Sequence, residues 1–588
     1  MALCCLPTLF WRLTDSSYPV SDAGDYFQVT QSIYNSFHIN GFISGMKDLY
    51  LLRAWKPIIL PSLGVPFLFI TGGKVVPAVT IYVVTIVAFF SLYLFRMLRL
   101  WLPILPAALA SLVIVTTPTV FMASIDFMTE LSFSLFVLMT VFYILVADYN
   151  RMGDSIKIAL AASFAFFIRP AEGALYLAPF AVSMLFKLLR TKSISNKFIL
   201  IQLLLIAALG FLLIHHFFVH HIHLNGFAGV IYLFLPFLST WLCFREGTIP
   251  RNLSILFSTF YLLVILYFWL DYLNLFYWIQ GTTLGELAQE TGKRKGMSFL
   301  NILFGIASWH GKYLNLILFA STVSAVFISR FRQSRFSLSF MMSALFAFLL
   351  PIILGLFTFN GDRRYYTTGF IFIYILMMVT SLRIPKKHLS WFMGIALIAL
   401  VLNSTFIIQR TLNHRIFPAT FGHFVPLAIP VGKDHAFLTE VESWDKFNQP
   451  DTIILTYPIL ESINFLDPWR FPIVAKEKYP NLLTQIYTPN ITIPESDVWP
   501  LIKIHEMCAK KHLLIVIGPI GDDLVMIDNP FNHGNAMAST LLAAYRQMNF
   551  SQIGFSLRRE FSINQPLPHE PGLNLKYLML ECSNQLNN

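Results

Sequence analysis

The chain has 588 residues, 56% of them hydrophobic and 12% charged, against about 45–50% and about 25% in soluble domains. That balance excludes an ordinary soluble globule and places the chain among membrane proteins. The net charge of +11 does not indicate a polyanion binder: residues 1–409 hold 28 Lys and Arg against 14 Asp and Glu, while residues 410–588 hold 14 against 17. The basic excess sits wholly in the apolar part, where it reads as orientation of membrane spans and not as nucleic-acid binding.

In chain order, Met1 to Leu13 is too short to cross a bilayer and lacks the charged start and small-residue cleavage site of a signal peptide. Residues 14–57 form a polar first loop. Apolar runs then follow at about 75–95, 101–122, 127–147, 156–168, 172–187, 198–219, 228–243, 253–273, 299–328, 336–357, 366–382 and 389–408. A helix of ~20 residues covers the ~30 Å hydrocarbon core, so about twelve transmembrane segments are expected. The pair meeting at Arg169-Pro170 reads as two spans or as one broken, re-entrant element, because Pro ends a helix.

Placing loop 14–57 outside the cytosol puts sixteen Lys and Arg in the inner links and ten in the outer ones, as the positive-inside rule requires. The tail from residue 409 then also lies outside. There Pro and charge rise, and Thr452–Tyr457 and His512–Gly518 read as buried strands. Helical patterns at 496–511 and 534–547 alternate with them. The expected architecture is an α-helical polytopic membrane domain, residues 1–408, followed by a small soluble α/β domain, residues 409–588.

Five Cys make no disulfide framework and no metal finger. Cys4, Cys5 and Cys243 read as apolar filler, whereas Cys508 and Cys582 share the tail and are open to one disulfide if it is extracytoplasmic. His215, His216, His220, His221 and His223 crowd one span end. Without a nearby Cys or carboxylate they read as an interfacial polar cluster, so no metal site and no cofactor are expected. The segment Gly518-Pro519-Ile520-Gly521 has neither dinucleotide-binding spacing nor a P-loop Lys and reads as a turn.

Charge within a bilayer costs ~2.5–3.5 kcal/mol for a central Asp or Arg on insertion scales, so charge at the span ends is informative. In the proposed topology it collects on the outer side: Asp22 and Asp25, Lys56, Asp126 and Glu130, Arg169 and Glu172, Arg363 and Arg364. Asp126 and Glu130 share a helical face, where they would hold a substrate hydroxyl or an ion; the bland alternative is a cap at Asp126 and a pair between Glu130 and a neighbouring Arg. Asp22 and Tyr26 also share a face, and Asp22 is equally a good N-cap.

The Asp22-x-x-x-Tyr26 opening, Lys56-Pro57 to Pro61 before an apolar run, Thr129-Glu130, Arg169-Pro170 with Glu172, and Arg364-Tyr365 opening a late span occur in an order that resembles the GT-C membrane glycosyltransferases, nearest in pattern to the protein O-mannosyltransferases and bacterial aminoarabinose transferases. The resemblance runs from residue 18 to about 408. It implies transfer of a sugar from a polyprenyl-phosphate carrier to an acceptor hydroxyl on a glycan, lipid or protein, at the extracytoplasmic face and with inversion; the absence of organelle retention signals favours a bacterial inner membrane. It also implies Asp22 as the catalytic base. Ala23 stands where many relatives carry a second acid, so one carboxylate is expected to suffice. A phosphate leaving group needs cationic stabilisation instead of a general acid, which Arg364, Arg363 or Arg169 would supply. Asp25, Tyr26, Lys56, Asp126, Glu130, Glu172 and Tyr365 complete the expected substrate-binding set. A polytopic transporter and a polysaccharide ligase or polymerase are the competing readings; the first would show related halves, which this sequence lacks.

Overall fold

A computed structural model describes residues 1–14, 18–19, 21–51, 59–125, 127–149, 151–190, 240, 252–263, 312–329, 338–358, 366–412, 431–458, 470–487, 507–508, 510–520, 550–567 and 570–582. The described part is mainly helical, with one sheet near the C-terminus. Its helices are α1 (Ala2–Thr14), α2 (Ser21–Leu51), α3 (Ile59–Ile70), α4 (Val75–Leu98), α5 (Ile104–Val115), α6 (Pro118–Ala123), α7 (Thr129–Val146), α8 (Met152–Ile168) and α9 (Pro170–Arg190). They continue with α10 (Asn252–Leu263), α11 (Lys312–Ser329), α12 (Leu338–Thr358), α13 (Thr367–Leu382), α14 (Lys386–Leu412), α15 (Val431–Glu442) and α16 (Arg470–Lys478).

Among the described residues, Val75–Leu98, Thr129–Val146 and Lys386–Gln409 are long and apolar enough to cross a bilayer, and further apolar helices are shorter. The runs expected at 198–219 and 228–243, and the five clustered histidines, lie outside the described residues. The run expected at 101–122 is two helices. Pro118 cannot donate to the turn before it, and the Thr116 and Thr117 hydroxyls donate to Leu112 O and Ile114 O at 2.7 Å each. Asn403 of α14 steadies the break by donating to Val113 O and Thr116 Oγ1, both at 3.2 Å.

The first loop is more ordered than its polarity suggests: most of it is α2, and α3 is a further helix absent from the expected runs. Low apolar periodicity hid α2, whose sequence mixes Gln, Ser, Asn and Thr with aromatics.

By contact the chain divides into two compact units. One comprises residues 1–9, 46–63 and 81–408; the other comprises residues 10–45, 64–80 and 409–588. The second unit therefore joins the tail to α2 and to the segment entering α4, which the sequence assigns to the membrane part.

In the first unit α7 packs against α8, α9 and α13. Arg169, between α8 and α9, is extended at φ −144° and ψ 90°, as the residue before a proline prefers, and Pro170 opens α9 at the position where a missing N–H costs nothing. The two helices then approach closely. A Cβ on Gly173 would fall 3.0 Å from Phe166 Cα, so a larger residue there would press on the α8 backbone.

In the second unit five strands, β1 (Thr452–Pro458), β2 (Gln485–Tyr487), β3 (His512–Ile520), β4 (Phe555–Leu567) and β5 (Glu570–Cys582), form one sheet in the order β2-β1-β3-β5-β4. β1 is parallel to β2 and β3, whereas β5 is antiparallel to β3 and β4. Ile453, Leu455, Ile515, Ile517 and Leu578 bury one face. The other face meets Phe437 of α15 and Phe471 of α16, whose rings cluster with Phe561 and Tyr577. Gly518 and Ile520 are not a turn but continue β3 through a bulge. Gly518 has φ 155°, and a Cβ there would lie 2.4 Å from Tyr577 Cδ1, so the residues that signal a turn in sequence serve the bulge instead. A disulfide joins Cys508 to Cys582 with Cα atoms 6.0 Å apart.

Candidate active site

Within the first unit the structure brings together three of the expected site residues. The Arg169 guanidinium at the α8–α9 corner donates from Nη2 to Glu130 Oε1 at 2.6 Å and from Nε to Thr129 Oγ1 at 2.8 Å. Its Nη1 lies 3.7 Å from Glu172 Oε1 in the first turn of α9. Arg169 and Glu130 are both buried. Two carboxylates face one guanidinium, and carboxylate oxygens are the acceptors that hold hydroxyls or a cation. Glu130 thus has the neighbouring Arg that the bland alternative required. Arg169 is engaged with carboxylates and a hydroxyl, which suits orienting Glu130 and Glu172 better than gripping a phosphate.

One turn along α7, Ser134 and Thr368 share a hydrogen bond of 2.7 Å. Thr368 belongs to the first turn of α13, four residues after Arg364 in sequence. The link ties the start of α13 to the helix that carries Glu130. Arg363, Arg364, Tyr365, Lys56 and Asp126 themselves lie outside the described residues.

Asp22, Asp25 and Tyr26 belong to the second unit. Asp22 is in the first turn of α2, and Asp25 and Tyr26 are buried one turn further along. Nothing in the sequence signals what braces this helix. Gln31 Nε2 donates to Ile473 O at 3.2 Å, Lys476 Nζ to Ser32 Oγ at 3.3 Å, and Asn35 Nδ2 to Pro480 O at 3.4 Å. Two successive turns of α2 are therefore tied to α16 and the residues just after it.

Glu477 of α16 completes the brace. Its Oε2 accepts the Val75 N–H at 3.2 Å, at the positive end of α4, and its carboxylate accepts the Tyr18 hydroxyl. Burial raises the Glu477 pKa above the usual carboxylate range, against these two hydrogen bonds. Burial likewise raises the Tyr18 hydroxyl, reinforced by Glu477 and Asp434, and Tyr18 Oη lies 3.5 Å from His435 Nε2. Burial lowers Lys476. Alongside, Arg470 grips Asp434 bidentately, Nε to Oδ1 at 2.7 Å and Nη2 to Oδ2 at 2.6 Å. Their side chains are 1% and 2% exposed, so neither charge has water to fall back on. Burial pushes the Asp434 carboxyl upward, opposed by the Arg470 guanidinium.

Among the described residues no group of three His, Cys, Asp or Glu is arranged to hold a metal ion.

No protein-family model and no curated protein sequence matches the chain. Solved structures do. The arabinofuranosyltransferase AftD from Mycobacteria aligns with 99% of this chain and 40% of its own, at 10% identity and a TM-score of 0.54. The oligosaccharyltransferase AglB from Archaeoglobus fulgidus, in complex with an inhibitory peptide and a dolichol-phosphate, aligns over 88% of this chain and 69% of its own at 11% identity and 0.46. ArnT from Cupriavidus metallidurans bound to undecaprenyl phosphate aligns over 100% and 98% at 12% and 0.38. Of these three only the first exceeds 0.5, and at such identities likeness is one of fold alone: the chain shares its fold with a part of the arabinofuranosyltransferase AftD.

Proposed function

We propose that the protein is a membrane glycosyltransferase that moves a sugar from a polyprenyl-phosphate carrier to an acceptor hydroxyl on the extracytoplasmic face, with inversion. The observation that carries this reading is the fold shared with AftD along almost the whole of this chain. Because the chain spans less than half of AftD, and because one fold hosts many chemistries, the donor and acceptor are argued from the residues.

Asp22, at the start of a helix braced by the tail, is the base that takes the acceptor proton. Arg364 and Tyr365 hold the donor phosphate, since a guanidinium binds phosphate bidentately through its planar fork. Arg169 fixes Glu130 and Glu172, which bind sugar hydroxyls, and Asp25, Tyr26, Lys56, Asp126 and Arg363 line the approaches. No metal is required in this scheme. Purified protein given radiolabelled lipid-linked sugars one at a time tests it. Arg364→Lys keeps the charge but loses the fork, and is expected to weaken donor binding about tenfold or more, the worth of one charge-assisted bond, while insertion is unchanged. Donor binding equal to the parent's removes Arg364 from the donor site.

The topology is tested separately. An alkaline phosphatase fused after Asn588 should be active, and Cys508 and Cys582 should resist alkylation until reduced, because a disulfide persists outside the cytosol. A reporter active only in the cytosol, with both thiols free, reverses the orientation.

A further inference from the structure

From Tyr26 to Met46 the chain holds no Asp, Glu, Lys or Arg, although the far part of this stretch is exposed. Phe42 and Ile43 are 74% and 85% exposed, and Ile39 joins them. A water-facing helix surface normally carries charge, and an uncharged apolar tip calls for an apolar partner.

The backbone presents these residues deliberately. Gly41, at φ 78°, breaks α2 in a conformation that glycine adopts without strain. Beyond it the chain doubles back: a Cβ on Gly45 would fall 2.4 Å from Phe37 Cδ1 and 2.9 Å from Phe37 Cα, whereas residues eight apart in an unbroken helix are separated by ~12 Å. The Phe37 and Phe42 rings stand 5.8 Å apart. Phe42 and Ile43 therefore cap a sharp bend.

The same helix abuts the corner between α3 and α4. The Tyr34 ring meets Phe69 edge-on at 4.9 Å, and a Cβ on Gly73 would lie 3.3 Å from the Tyr34 ring. At that corner Phe69 and Ile70 are 48% and 69% exposed. The corner ends at Lys74, and Val75 begins a 24-residue helix long and apolar enough to cross a bilayer, which sets the corner at the boundary between hydrocarbon and head groups. The bend at Gly41 follows Tyr34 by about 11 Å of helix, comparable to the ~5–8 Å of head-group region on one side of the core with the first acyl carbons. Tyr34 and His38, stacked at 5.3 Å, supply the amphipathic rings typical of that layer.

We infer that the bend at Gly41 is a lipid-seated wedge: Ile39, Phe42 and Ile43, together with Phe69 and Ile70, insert into the bilayer leaflet at which α4 begins. The inference rests on α4 as a membrane span, and it gives the outer-loop helix an anchor in lipid at one end opposite its brace by α16. A peptide or protein partner is the competing occupant; the exposed Lys47 and Lys74 that flank the apolar tip suit lipid head groups around a buried apolar centre.

The test uses the full chain in proteoliposomes, with Cys4, Cys5 and Cys243 replaced by Ser and the Cys508–Cys582 disulfide kept. Single nitroxide labels are placed at Phe42→Cys and Ile43→Cys, with Phe89→Cys in α4 as the lipid reference and Gln449→Cys in the tail as the aqueous one. Collision rates with oxygen and with a water-soluble nickel chelate are compared. Labels at 42 and 43 should follow position 89, with oxygen favoured several-fold over nickel. Nickel collisions as frequent as at 449, while 89 remains lipid-like, overturn the wedge and leave the span standing. Labels shielded from both reagents mean a protein cover and overturn it too. If 89 is itself aqueous, the span reading fails and takes the wedge with it.

Discussion

Asp22→Asn is expected to lower turnover about 10²–10⁴-fold, the usual contribution of a positioned general base, with expression and donor affinity little changed. The substitution separates two roles that one residue type can play. Asn keeps the side-chain size and hydrogen-bonding capacity of Asp in the first turn of α2, but it cannot accept the proton of the acceptor hydroxyl. If Asp22 only caps, the variant stays near parental activity. Asp25→Asn is the matched comparison, because Asp25 lies three residues further along the same helix and is buried; as a substrate-binding residue its loss is expected to raise KM more than it lowers turnover. Should Asp25→Asn abolish transfer while Asp22→Asn does not, the base has been misassigned.

Asp434→Asn is expected to destabilise the tail by about 3–5 kcal/mol, the cost of leaving one partner of a buried pair uncompensated. The Arg470 guanidinium is all but fully buried against Asp434, so no water can replace the lost carboxylate. For a unit of this size the midpoint of thermal unfolding should fall by on the order of 10 °C, read as protease susceptibility of the tail in the purified full chain. The double variant Asp434→Leu with Arg470→Met removes both charges together and should recover most of the loss, since apolar replacement of a buried pair is often neutral. A single variant as stable as the parent would mean that the pair is hydrated in solution. Because α16 carries both Arg470 and the contacts to Gln31 and Ser32, the single variant should also slow transfer, and the double variant should restore it.

How much of this was legible in the sequence depends on which interactions are local. Helices such as α4 and α7 announce themselves because hydrocarbon demands an unbroken apolar run, and the strands β1 and β3 do so because a buried central strand is continuously apolar. Arg169-Pro170 was legible as a break, since proline constrains the residue before it, yet only the fold shows that the guanidinium turns to Glu130. The brace between α2 and α16 was not legible. Gln31 and Ile473, or Ser32 and Lys476, lie more than 400 residues apart, and no periodicity links them. Nor was the hairpin of β4 and β5, whose strands mix charged and apolar residues, as one covered and one open face require. The Gly518-Pro519 signal misled for a stated reason: glycine and proline mark a bulge as readily as a turn.

If a polyprenyl-phosphate sugar is the donor, as we propose, sugar transfer and carrier release are coupled. Purified protein in lipid should be given polyprenyl-phosphate sugars carrying label in both sugar and phosphate, with membrane extracts as the acceptor source. One polyprenyl phosphate should be released for each sugar transferred, the product should have the opposite anomeric configuration to the donor, and Asp22→Asn should suppress transfer and release together. Transfer from a sugar nucleotide with no release of polyprenyl phosphate from any carrier-linked donor would contradict it.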